Sequence, residues 1–298
     1  MFCPFDATLS RRVAFSRIVG LAALFSAVAR GRAVENTLAV INGGISSAED
    51  GPFVSSEYQF VPGDYLFFTF EITGFAIRPE NGGETKKISL HYEVTVRDQD
   101  GRALAAPVSD DIQADLSPED KNWVPKRRAS FLLPSFTAAG EFQVQIRAKD
   151  LFGKTETAKD FRFLLGGTRI QPSATVTIEN FRFLRGENDN ERLEMPAYSP
   201  GDTVYARFEI VGFRNGPENQ HHVGYGVTVF DPKGRPLIQN PSAANLEEGS
   251  FYPAQFIPGN VALKIEKGNQ LGEYTVLITV KDLLAGQRFE LKQAFSIE

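Results

Sequence analysis

One phrase occurs twice in this chain, and it limits the fold more than any other feature. Pro62-Gly63-Asp64 opens a run that includes Phe70-Glu71-Ile72 and closes on Gly74-Phe75. Pro200-Gly201-Asp202 opens the same run, with Phe208-Glu209-Ile210 and then Gly212-Phe213, each residue 138 positions after its twin. A repeat at that distance is a domain length, so the chain reads as one module duplicated in tandem. The 298 residues suffice for two such modules, each large enough to bury its own core.

The repeated run alternates. Leu66, Phe68, Phe70 and Ile72 share one face, with Val204, Ala206, Phe208 and Ile210 as counterparts. Tyr65, Phe67, Thr69 and Glu71 share the other, matched by Thr203, Tyr205, Arg207 and Glu209. Period two with one apolar face predicts a half-buried strand of an antiparallel sheet. Pro and Gly before it predict a turn. The 25 phenylalanines suit pleated, half-buried surfaces.

Further strands repeat at slightly shorter offsets. Tyr92–Val96 matches Tyr225–Val229, with turns Asp98-Gln99-Asp100-Gly101 and Asp231-Pro232-Lys233-Gly234 after them. The extra residues of the first copy fall in Pro79–Glu84, whose composition predicts a loop. A less regular middle follows, with Asp110, Asp111, Asp120 and Trp123 in one copy and Glu247, Glu248, Phe251 and Tyr252 in the other. Each copy closes on a strand beginning Gly-Glu-aromatic (residues 140–146 and 272–278) and a Lys-Asp-Leu turn (149–151 and 281–283). Gly166–Ser173 is the expected linker, placing the modules at 34–167 and 168–298, end to end with limited freedom.

Residues 1–33 read as a cleaved export signal: basic Arg11, Arg12 and Arg17, an uncharged stretch from Ile18 to Ala29, then small residues. Ser10-Arg11-Arg12-Val13 resembles a twin-arginine signal, although Ala14 stands where that pattern has Phe. Twelve apolar residues are too few for a membrane span, which needs about 20. The expectation is an exported, periplasmic or extracellular protein of bacterial type with no stable span after cleavage. Removing residues 1–33, with five Arg and one Asp, takes the net charge from −5 to −9. Such a surface argues against nucleic acid as a partner. Cys3 lies in the signal, so the mature chain would have neither a disulfide nor thiol chemistry.

About seven short strands per module, with regular turn signals, predict an all-β fold of two tandem antiparallel sandwiches. On Gly140–Val144 and Gly272–Val276 the sequence resembles the immunoglobulin-like modules of bacterial exported proteins. The resemblance implies a tyrosine corner at Tyr274, for which Phe142 lacks the hydroxyl, and puts Val144 and Val276 where antibody domains have a cysteine. It extends to architecture and names no function.

Candidate chemistry is sparse. His221 and His222 are adjacent, so they would point to opposite faces of a strand; solvent-exposed loop residues are expected, not metal ligands. Asp98-x-Asp100-Gly101 resembles the start of a calcium loop, but Ser109 holds the twelfth position and Lys233 replaces Asp100 in the second copy. Asn188–Glu191 is a second oxygen-rich loop, read as solvated. Lys126-Arg127-Arg128 is read as a basic loop. No nucleophile elbow, zinc helix or phosphate loop is present, so no catalytic, metal or cofactor site is expected and the protein reads as non-enzymatic, with a carbohydrate-binding pair and then an enzyme of unrecognised type as the alternatives. The outward aromatics Tyr65, Phe67 and Tyr205 form the candidate binding face, for an envelope protein or a polysaccharide.

Overall fold

The computed structural model describes residues 37–298 apart from 81, 83, 84, 118 and 121, so the expected signal at 1–33 lies outside the described residues. Asn36–Glu298 form one compact unit. The strands in its first half are β1 (Ala39–Ser46), β2 (Gln59–Phe60), β3 (Tyr65–Thr73), β4 (Arg78–Glu80), β5 (Thr85–Arg97), β6 (Val108–Leu116), β7 (Lys126–Leu132), β8 (Gly140–Asp150) and β9 (Thr155–Leu165). The second half follows with β10 (Thr177–Leu184), β11 (Ala197–Tyr198), β12 (Thr203–Val211), β13 (His221–Phe230), β14 (Pro236–Glu248), β15 (Ile257–Lys264), β16 (Gly272–Asp282) and β17 (Gln287–Ile297). Among the described residues no helix is long and apolar enough to cross a membrane.

These strands build the same sandwich twice. One sheet of the first module is β1-β3-β7, and the other is β2-β9-β8-β5-β4 with β6 also on β5. The second module repeats this as β10-β12-β15 against β11-β17-β16-β13-β14. Pairing is antiparallel except at β2–β9 and β11–β17, where two residues run parallel and tie the start of each module to its last strand. The fold is therefore all-β, two tandem immunoglobulin-like sandwiches.

The repeated phrase explains the positions of β3 and β12. Leu66, Phe68, Phe70 and Ile72, and likewise Val204, Phe208 and Ile210, are fully buried between the sheets. Phe70 and Phe208, which are counterparts, each meet a tyrosine of the opposing sheet edge-on, Phe70 with Tyr92 at 5.1 Å and Phe208 with Tyr225 at 5.3 Å, a favoured ring geometry. Gly74 and Gly212 have φ of +75° and +72°. A Cβ at either would collide with the backbone carbonyl of Thr37 or Thr175, so the closing Gly lets the incoming strand cross against the outgoing one.

The Lys-Asp-Leu turns are structural as well. Asp150 is buried and accepts the N–H groups of Ala76 (2.6 Å) and Phe152 (2.9 Å). Asp282 accepts those of Arg214 (2.8 Å), Leu284 and Ala285 (both 3.0 Å). In each module one carboxylate thus fastens the last hairpin to the loop after the repeated phrase. The tyrosine corner forms where expected: Tyr274 donates to the Gln270 carbonyl at 2.7 Å. Phe142, its counterpart, stacks on Phe163 at 5.7 Å.

Several local expectations are corrected. The middle section is strand in part: Asp110 and Asp111 lie on β6, and Glu247 and Glu248 end β14, while Asp120, Trp123, Phe251 and Tyr252 lie outside the strands. Lys126-Arg127-Arg128 begin β7 rather than forming a loop. Pro79 and Glu80 belong to β4. In each case the residues are polar because the strand is at an edge or faces outward, a pattern that composition alone does not separate from a loop.

Candidate functional site

The outer face of β3 carries the predicted aromatics. Tyr65 is 54% exposed and stacks on half-buried Phe67, centroids 6.2 Å apart and planes 28° apart. Leu132, directly across from Tyr65 on β7, is 51% exposed and faces the same side. Farther along, part of this face is covered by the loop after β1, whose Phe53 remains 54% exposed on its outer side. The ring of Phe53 lies on Gly44, where a Cβ would displace it, and Val54 donates to Ile45 O at 2.8 Å. Arg128 holds the same loop through Asp50 (2.7 Å) and Glu49 (3.2 Å). Thr69, expected to face outward, is buried beneath this cover.

Tyr205 is not brought to this cluster. It lies half-buried on β12, between Leu184 of β10 and Ala262 of β15. Beside it, Arg207 donates to the carbonyls of Glu187 and Asp189 and to Asn190 Oδ1. The oxygen-rich loop at 188–191 therefore already surrounds a cation, the guanidinium of Arg207. Among the described residues no group of three or more acidic, His or Cys side chains could hold a metal. Glu209, expected to be outward, is buried against Arg182 with one carboxylate oxygen lacking a hydrogen-bond partner.

Sequence reasoning missed the contact between modules. The stretch after β14 crosses to the first module and inserts Tyr252 into its core, where the ring is 2% exposed. Its phenol donates to Asp98 Oδ2 at 3.0 Å and receives Gln255 Nε2 at 2.9 Å. Burial, reinforced by the hydrogen bond to Asp98, pushes the phenol far above the ordinary tyrosine range. Gln255 also accepts the Ala138 N–H at 2.6 Å and donates its own N–H to Phe136 O at 2.9 Å. Phe136 in turn packs on the second core, with Phe256 at 6.2 Å. The exchange is reciprocal: each module lends an aromatic to the other. Asp98, read as a turn residue, is one; its Oδ1 accepts the Arg102 N–H at 2.8 Å while Oδ2 serves the junction. In the first copy the equivalent stretch stays at home, with Trp123 against Phe75 at 6.4 Å.

The histidine pair is corrected here. His221 and His222 lie on β13, not in a loop. His222 is half-buried, with Nε2 3.1 Å from Asn245 Oδ1. His221 is 2% exposed, lies 5.5 Å from the Phe213 ring, and neither of its nitrogens has a well-aligned hydrogen-bond partner. Burial lowers its pKa, opposed in part by the charge of Glu248 across the strand pair and by the Asn219 backbone. It borders a cavity of about 200 Å³ between the modules, shared with Phe136, Glu248, Ser250 and Tyr252.

No family model matches the chain, and no curated protein matches it. Among solved structures it is similar to the C-terminal domain of the Streptococcus pyogenes antigen I/II-family protein AspA, at 11% identity over 85% of this chain and 98% of that one, with a TM-score of 0.29. The C-terminal domain of the Streptococcus agalactiae AgI/II polypeptide BspA gives 11% identity, 86% and 99% coverage, and 0.28. A Pseudomonas fluorescens alkylpurine DNA glycosylase, AlkC, bound to DNA containing an abasic site analogue, gives 13%, 42% and 0.28, and this chain spans 31% of its length. Likenesses this distant carry no function across.

Proposed function

We propose that the chain is a non-enzymatic, exported binding or scaffold protein of the bacterial envelope, with the Tyr65–Phe67–Leu132 face as its contact surface for a protein partner. One observation carries the reading: more than half of Tyr65 and of Leu132 is exposed, side by side on one sheet face. Large apolar side chains adjacent on a stiff sheet are suited to docking, since little conformational freedom is lost on contact. Tyr205 holds the matching position of the second copy and would contribute a separate, smaller contact.

The test is capture of a partner by the mature protein from its own envelope extract, repeated with Tyr65→Ser, Phe67→Ser and Leu132→Ser combined. Capture that survives all three substitutions removes the face from consideration. A second reading, polysaccharide binding, is favoured by the near-parallel rings of Tyr65 and Phe67, which offer a platform for sugar stacking. It predicts retention on a glycan array that the same substitutions weaken.

A further inference from the structure

The cavity beside His221 occupies a position where the two copies differ in kind. His221 corresponds to Ile88, 133 residues earlier, which is also 2% exposed. In the first module Ile88 pairs across the strands with Ala114. In the second, His221 pairs with Glu248. An apolar pair has thus become a titratable one, and only where the second module meets the first. Glu248 is the last residue of β14, and the stretch 249–256 that follows it carries Tyr252 and Gln255 into the junction.

We propose that the junction is an acid-released clasp, in which protonation of His221 withdraws the 249–256 stretch from the first module. Neutral imidazole fits the cavity. A second ring proton would place a charge there with Glu248 as the one charged side chain among the described residues lining it. Phe213 packs on the ring from the loop after β12, and the first module contributes Pro134, Ser135 and Phe136, none of them charged. Tyr252, the other titratable group lining the cavity, keeps its proton throughout this range. Lifting the stretch away lets the imidazolium reach water and surrenders the Tyr252–Asp98 and Gln255–Phe136 bonds. Folding and clasping both favour the neutral ring, consistent with its lowered pKa. The closed form is therefore fully favoured above the ordinary imidazole value of about 6.5. It loses ground as pH falls below it, by up to about tenfold in the closed-to-open ratio per pH unit until the depressed value is reached.

The experiment is small-angle scattering on the intact chain from pH 7.5 to 5.0, with far-ultraviolet circular dichroism alongside to confirm that the sheets persist. The expected result is an increase in the radius of gyration below pH 6.5 at constant strand content. His221→Ile, which installs the first copy's residue, is expected to abolish the increase. Glu248→Ala is expected to enlarge the increase at the acid end, because without the one charge that favours the imidazolium in the closed cavity the closed-form value is depressed further and the loss runs over a wider pH range. Constant dimensions across the range would overturn the proposal. So would an increase that persists in His221→Ile, or one that Glu248→Ala abolishes or diminishes.

Discussion

The outer faces of β3 and β12 start from the same phrase and are closed in different ways. Over β3 an apolar ring, Phe53, covers Gly44, and Arg128 reaches in from the neighbouring strand to hold the covering loop by its acids. Over β12 the strand supplies the cation itself: Arg207, the counterpart of Thr69, gathers the carbonyls of its loop. The Asn at the bulge of the first strand diverges too. Asn42 bonds the Glu71 carboxylate at 2.7 Å, whereas Asn180 is taken by the Arg169 carbonyl and leaves Glu209 to Arg182. The inward halves of the two strands are nearly interchangeable, while their outward halves share little. Core packing tolerates few solutions; a solvent face tolerates many, and there the copies have been free to differ.

Substitutions can break that comparison at points of decreasing weight. Tyr252→Ala empties a site in the other module's core and is expected to cost about 3–5 kcal/mol, the usual range for deleting a buried aromatic. Hydrogen exchange should locate the loss in β3, β5 and β8 of the first module; a loss confined to the second would contradict the packing described. Asp150→Ala and Asp282→Ala should each cost about 1–3 kcal/mol, because the buried N–H groups they serve are left unpaired. Similar values in urea denaturation are expected from the shared geometry, with Asp282 the more costly for its third N–H. Tyr274→Phe converts the second corner into the first and should cost about 1 kcal/mol, the net worth of one hydrogen bond. Phe142→Tyr, in contrast, should gain at most that amount. Tyr65→Ser should fall within about 0.5 kcal/mol, as for an exposed residue without a structural role, so that any loss of binding is readable as contact rather than folding.

Much of this architecture was legible in the residues. The period-two runs gave the strands, and the duplication acted as a control on each motif, which is why the Asp98 and Asp231 turns were separated from a calcium loop. His221 was legible in principle: it lies in phase with Val223, Tyr225, Val227 and Val229, all buried, and opposite Ile88 in the repeat. Its polar side chain and the histidine beside it pointed to the surface instead of to the phase. The polar edge strands β6 and β14 were hidden for a different reason. On β14, exposed along most of its length, there is little apolar alternation to announce a strand, while on β6 the buried Ile112 and Leu116 keep period two but stand among acids that read as a loop. The junction was not legible at all, because Tyr252 and Asp98 are 154 residues apart and neither belongs to a pattern.

Tyr252 also gives the chain a direction. Duplicated units that hold their own cores can be reordered or extended like beads. Here the unit that comes second reaches back into the one before it, while the equivalent stretch around Trp123 folds onto its own module. A chain with the two units exchanged would present Tyr252 to solvent and leave Asp98 without it. Having begun as copies, the modules have become a leader and a follower that cannot trade places.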